Sequence, residues 1–266
     1  MSTPLRLRPR ASLALLLASF GGLAAFLWPL VVQPGAALES TSAPLVFALL
    51  LPVLLAVVLA EMSEGGMDTK ALAMLGVLSA IGAALRPLGA GTAGVETVFF
   101  VLILGGRVFG PGFGFVLGAT TMFSSALLTG GVGPWLPFQM LGAAWVGLGA
   151  GALPRARGRT ELGLLAAYSA VSSLLYGVLL NLSFWPFALG DGTELSFDAS
   201  RGVLGNLHAF GLFTVATSLG WDVGRAITTV VLVLLAGPSV LVALRRAARR
   251  AAFDAPVEFV PAAANP

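Results

Sequence analysis

The chain has 266 residues, of which 57% are strongly hydrophobic and 10% charged, with 15 lysines and arginines against 12 acids. Soluble domains run about 45–50% apolar and 25% charged. This chain therefore has too little polar surface to cover a water-facing core, whereas lipid accepts it as helices whose backbone bonds close internally. With no cysteine and one histidine, His208, a disulfide framework, an iron–sulfur centre, a thiolate nucleophile and a multi-histidine metal site are excluded.

Arg6, Arg8 and Arg10 precede the first apolar run, Leu13 to Val32. A signal peptide starts the same way, and Gly35-Ala36-Ala37 would serve as a cleavage site. The run is longer than the usual stretch of about 7–15 residues, however, so an uncleaved span is expected. A second span is predicted over Pro44–Ala60 and a third over Ala71–Leu85. The fourth, Ala93–Leu104, is short and has Glu96 and Thr97 near its start. The fifth covers Gly112–Leu128 and the sixth Phe138–Leu153. The seventh, Leu162–Phe187, is long enough at about 1.5 Å per residue to cross with tilt. A last span is predicted over Val223–Leu244.

Leu204–Leu219 has the length of a short span but carries Asn206, His208, Thr214, Thr217 and Ser218. Cytoplasmic loops favour Lys and Arg, and charge placement arbitrates. Eight spans with a cytoplasmic N-terminus gather Arg6, Arg8, Arg10, Lys70, Arg107, Arg155, Arg157, Arg159, Arg245, Arg246, Arg249 and Arg250 inside. Only Arg86, Arg201 and Arg225 are left outside or buried. Counting Leu204–Leu219 as a span would put the Arg245–Arg250 cluster outside, so it reads as an outer helix or re-entrant piece. The expected organisation is an all-α integral membrane protein with both termini cytoplasmic. Two transmembrane helices occupy 1–69. A six-helix membrane domain follows over 70–250, with an extracytoplasmic segment near 188–219, and a Pro/Ala-rich disordered tail ends the chain at 251–266.

Polar and small residues within the spans carry the functional reading. In span three Gly76, Ala80 and Ala84 recur at steps of four and share one helix face, with Ser79 and Ala83 in a parallel row. Such a flat side serves close packing within the chain or the docking of another protein's helix. In span seven Tyr168, Ser172 and Tyr176 form one row, and Ser169, Ser173, Gly177, Asn181 and Trp185 form the next. Hydroxyls and amides seldom face lipid, so this ridge turns inward, either to tie helices together or to line a polar cavity. The Gly/Pro-rich stretch Gly130–Pro137 fixes an irregular backbone and leaves Trp135, Phe138 and Gln139 at the outer end of span six. Trp135, Gln139, Asn181 and Trp185 together offer stacking surface and neutral hydrogen bonds for a large polar organic ligand. The expected cavity lies between the outer ends of spans six and seven, roofed by Ala188–Leu219. Asp222 and Arg225, three apart, form an expected structural ion pair along one helix surface. Arg86 and Glu96 are further charges near the outer face.

Absences narrow the field. There is no GxxxxGK[ST] loop, so the chain does not hydrolyse ATP itself. It has no HExxH motif, no paired intramembrane aspartates, no serine–histidine triad, and too few basic residues for nucleic acid.

The stretch GGRVFGPGFGFVLGATTMFSSALLTGG (Gly105–Gly131) resembles the third-helix region of the substrate-binding S components of energy-coupling factor (ECF) transporters. WLPFQMLGAAWVGLGAGALPR (Trp135–Arg155) continues the likeness, and TSLGWDVGRAITTVVLVLLAGPSVL (Thr217–Leu241) resembles the C-terminal part of an actinobacterial-type branch. The likeness extends from Lys70 to Arg246. It implies a six-helix bundle that binds a vitamin from outside, without a cofactor, and delivers it by toppling in the bilayer. A transmembrane coupling protein and two cytoplasmic ATP-binding subunits drive that movement. Spans one and two depart from the common pattern as an N-terminal addition. By the same resemblance Gly76, Ala80 and Ala84 correspond to the partner-docking face. Trp135, Gln139, Asn181 and Trp185 fall where ligand-facing residues are expected, and Phe138 and Tyr176 beside them complete the substrate-binding candidates. The GPWLPFQMLG and WDVGRA stretches are similar to the proposed cobalamin-type branch, which makes cobalamin or a related corrinoid the first candidate ligand, with the thiamine, riboflavin, biotin and queuosine-precursor branches open beside it. Two other classes stay open: a membrane-embedded enzyme such as a lipid-modifying transferase, and a structural membrane subunit without a ligand.

Overall fold

The computed structural model describes residues 9–31, 50–64, 67, 69–89, 92–189 and 192–251. The cleavage-like Gly35-Ala36-Ala37, the start of the second expected span at Pro44, and all but the first residue of the expected tail lie outside the described residues. The described chain is helical throughout, without a strand. In chain order the helices are α1 (Pro9–Val31), α2 (Leu50–Glu64), α3 (Thr69–Leu85), α4 (Val98–Phe109), α5 (Pro111–Thr129), α6 (Leu136–Ala152), α7 (Gly158–Ala188), α8 (Gly202–Thr217), α9 (Leu219–Leu235) and α10 (Gly237–Ala251). Short 3-10 turns cover Arg86–Gly89 and Ala199–Arg201.

Thr69–Gly89, Pro111–Thr129 and Gly158–Ala188 are long and apolar enough to cross a bilayer. The pair Ala199–Thr217 and Leu219–Leu235, bent by 62°, makes a fourth if counted as one broken span. The helices over Leu15–Leu30, Leu50–Ala60 and Val98–Phe109 are apolar but shorter. These are the helices of a multi-pass membrane protein, and eight full spans are more than their lengths by themselves establish.

Several expected boundaries move: the second helix runs on to Glu64 instead of Ala60, the fourth to Phe109 instead of Leu104, and the seventh starts at Gly158 instead of Leu162. The fourth helix begins at Val98, five residues later than Ala93, because Ala93 (φ 41°) and Gly94 (φ 78°) take left-handed turn conformations. Thr97 then donates its hydroxyl to the Leu85 carbonyl at 3.1 Å. The apolar character of Ala93, Gly94 and Val95 belongs to a turn packed on the bundle. The last expected span, Val223–Leu244, is interrupted at Ala236. Pro238 brings no N–H for the Leu234 carbonyl, so one rung of the helical ladder is missing there and a new helix opens. That new helix, α10, buries Leu241 and Ala248 and exposes Arg246 and Arg249.

The main apolar cluster surrounds the short helix α4, where Phe99, Leu102, Ile103 and Leu104 are fully buried, and a smaller one gathers Leu182, Trp185, Ala209, Phe210 and Phe213. The most extensive helix pair is α5 with α6. A Cβ at Gly114 would strike the Gly147 carbonyl and one at Gly147 the Gly114 carbonyl, so both positions need glycine for the backbones to touch. The N-terminal helix joins this body. Phe26 is edge-on to Phe138 at 4.9 Å, and Trp145 donates its indole N–H to Ser19 Oγ at 3.0 Å. Trp28 lies against Phe187 and Phe197 at 5.9 and 6.0 Å.

The helices alternate in direction, so charges sort to two ends. Arg86, Glu96, Asp222 and Arg225 lie at the end where α3 stops and α4, α6 and α9 begin. Arg107, Arg155, Arg157, Glu161 and Arg245 gather at the opposite end.

Candidate functional site

At the first end, the 3-10 turn at Arg86, the 92–97 turn, the last residues of α5 and the first of α9 enclose a cavity of about 350 Å³. Arg86, Glu96, Ser125, Thr129 and Trp221 line it. Arg86, half-buried, donates from Nη1 to Ser125 Oγ at 3.5 Å and from Nη2 to Gln139 Oε1 at 3.1 Å. Among the described residues no carboxylate forms a salt bridge with it. Its charge is therefore met only by neutral acceptors facing a cavity, the arrangement that leaves a guanidinium ready for an anionic group.

Arg225 does the opposite job beside it. It donates to Glu96 through Nε, to Asp222 Oδ1 at 2.8 Å and to the Ser173 carbonyl at 3.2 Å through Nη1. Its guanidinium also lies 5.2 Å from the Tyr176 ring and 5.6 Å from Phe99. One cation thus ties the start of α4, the middle of α7 and the start of α9. The Asp222 carboxylate reaches this position because α7 carries Gly177 there, where a Cβ would overlap its oxygens.

The expected site residues do not converge on one space. Gln139 is the one tied to the cavity lining, through Arg86. Phe138 is buried and packs edge-on against Phe26 of α1. Tyr176 is buried under Arg225 and edge-on to Phe99 at 4.8 Å. Trp185 is fully buried and donates its indole N–H to the Leu195 carbonyl at 2.6 Å, pinning the 192–198 segment over the end of α7 beside Phe197 and Phe210. Asn181 accepts from Ser218 Oγ at 2.9 Å, at the bend between α8 and α9, while its buried amide nitrogen has no partner among the described residues. Trp135 is 52% exposed and donates to the Gly131 carbonyl at 3.2 Å. In the outer segment, hydrogen bonds from Ser200 hold the Asp198 carboxyl below the usual carboxylate range. Asn206 fastens that segment with two backbone hydrogen bonds to Asp198, at 2.7 and 3.1 Å.

The small row of α3 is divided by its environment. Ser79 and Ala83 are buried, and Ser79 Oγ meets Thr120 Oγ1 at 2.7 Å. Gly76, Ala80 and Ala84 are exposed, and a Cβ added at Gly76 would meet nothing within 4 Å.

A family model, the ECF transporter substrate-specific component, matches residues 70–235, more than half of the chain. The chain belongs to that family. No curated protein and no solved structure matches it. S components are transporter subunits rather than enzymes and work with the other components of ECF transporters. In this S component the matched stretch starts with α3 and ends with α9, so α1, α2 and α10 lie outside it.

The roles of Arg86, Ser125 and Trp221 at the cavity were not evident from the sequence. Arg86 stood out only as a charge at a span end. The available signal was an arginine without a carboxylate at helical spacing on its own segment, in contrast to Arg225 with Asp222.

Proposed function

We propose that this S component captures a small vitamin-like molecule bearing an anionic group, holding that group on Arg86 in the 350 Å³ cavity. The observation that carries the reading is the half-buried Arg86 guanidinium, facing a cavity with Ser125 and Gln139 as its hydrogen-bond partners among the described residues. Trp221, 45% exposed and on the cavity wall, supplies a flat apolar surface, and Glu96 faces a donor on the ligand. The cavity sits at the low end of the range of about 300–1,000 Å³ typical of drug-sized ligands. A corrinoid, the candidate suggested by resemblance, would need a much wider cavity than this one.

The arginine-rich end, with Lys70, Arg107, Arg155, Arg157, Arg159, Arg245 and Arg246, is the cytoplasmic one under the positive-inside rule. The Arg86 cavity then opens outward, and the described C-terminal helix lies inside. The exposed Gly76, Ala80 and Ala84 face is the seat of the transmembrane coupling protein, which in turn links to two ATP-binding subunits. Exposure of these three small residues on a face that also presents the exposed Val77 and Ile81 supports this placement.

The test is ligand profiling of the purified chain without nucleotide, using vitamins with and without a carboxylate or phosphate, cobalamin included. An anionic ligand is expected to bind, and Arg86→Gln to weaken it by at least about tenfold, as for a lost charge-assisted hydrogen bond. Tight binding of an uncharged ligand that is indifferent to Arg86→Gln would overturn the reading.

A further inference from the structure

The opposite end of the bundle holds a larger open cavity, about 930 Å³, formed by the ends of α4 and α6, the 153–157 segment, the start of α7, and α10. Its lining contains Arg107, Arg155, Arg157, Arg245 and Arg249 against a single acid, Glu161. The excess of four positive charges in this lining is more than the +3 of the whole chain.

The basic cluster is built rather than scattered. Glu161 is 2% exposed and takes Arg107 Nε at 2.8 Å and Arg245 Nη2 at 2.6 Å on the same oxygen. Arg107 also donates from Nη1 to the Leu153 carbonyl at 3.0 Å. One buried carboxylate thereby locks two guanidinium groups in place without neutralising the pair. Arg155 and Arg249 are exposed at the rim and make no side-chain hydrogen bond to a described residue. Val108 and Leu153 add apolar wall.

We propose that this cavity is a binding site for the phosphate group of an anionic phospholipid, with Arg107 and Arg245 as its fixed floor and Arg155 and Arg249 closing on the headgroup. Guanidinium forks match phosphate oxygens two at a time. Basic pockets between the ends of membrane helices suit lipid headgroups because the acyl chains remain in the bilayer beside them. The apolar Val108 and Leu153 fit the glycerol and first methylenes of such a lipid, which free phosphate lacks. The concavity favours a headgroup over an acidic protein segment, which needs a longer and flatter surface. The same phosphate chemistry would admit a soluble phosphate, and the experiment separates the two sources.

The full chain is delipidated in detergent, re-exposed to phosphatidylglycerol or phosphatidylcholine, and examined by native mass spectrometry, with inorganic phosphate titrated in parallel. The expected result is preferential retention of phosphatidylglycerol by the parent chain. Arg155→Gln/Arg249→Gln should reduce that preference by about thirtyfold, at roughly fivefold per basic group near a lipid surface. Because both arginines are exposed and make no side-chain hydrogen bond to a described residue, the variant should melt with the parent in phosphatidylcholine, and this control separates lost binding from misfolding. Competition of phosphatidylglycerol by inorganic phosphate would support the phosphate site. Saturable phosphate binding without any lipid preference would assign the site to a soluble anion and overturn the lipid reading. Equal retention of both lipids by the parent, or an unchanged preference in the variant, would overturn the proposal. So would burial of Arg155 and Arg249 against an acidic partner segment in the assembled transporter with no lipid retained.

Discussion

Asp222 and Glu96 both pair with Arg225, but burial separates their worth. The Asp222 and Arg225 side chains are 4% and 10% exposed and meet at 2.8 Å, whereas the Glu96 side chain is 32% exposed. Removing one member of a buried charge pair costs about 3–5 kcal/mol when nothing replaces it. Asp222→Asn keeps the shape and an oxygen that still accepts from Arg225, so the expected cost is about 2–3 kcal/mol, near that of a charge-assisted hydrogen bond. Glu96→Gln loses a pair partly screened by solvent and is expected to cost about 1 kcal/mol or less. Both variants can be unfolded reversibly in mixed micelles and followed by tryptophan fluorescence, since Trp221 neighbours the network. Equal costs, or a larger cost for Glu96→Gln, would refute the claim that the buried Asp222–Arg225 pair outweighs the more exposed Glu96–Arg225 pair.

Two further outcomes follow from backbone geometry and from the exposed face of α3. Gly147→Val should prevent recovery of folded protein, because the new side chain would occupy the Gly114 carbonyl; gel filtration of the solubilised chain would show loss of the monodisperse peak. Ala80→Leu/Ala84→Leu should lower the yield of the complex with the transmembrane coupling protein while ligand affinity of the isolated chain holds, because the added bulk lies on an outward face. Co-purification and binding measured on one preparation would distinguish this from a folding defect.

The sequence by itself determined the solvent of this protein and most of its helices. Long apolar runs with few charges read as membrane helices, and the bounds of α3, α5 and α6 lie within two residues of the expected runs. Glycine and arginine patterns carried the family resemblance and the sorting of charges to two ends, because both are local or cumulative properties of the chain. Tertiary structure decided the rest. Hydropathy does not distinguish Ala93-Gly94-Val95 in a packed turn from the same residues in a helix. Nor does it show that α1 packs against Phe138, a contact between Phe26 and a residue more than a hundred positions away. Trp185 and Tyr176 have side chains suited to a ligand, yet the first is bonded to Leu195 and the second lies under Arg225. Which polar group meets a neighbour and which faces open space depends on how the helix faces are rotated against one another. That rotation is set by backbone approaches such as Gly114 to Gly147 and Gly177 to Asp222, and it left Arg86 facing the cavity.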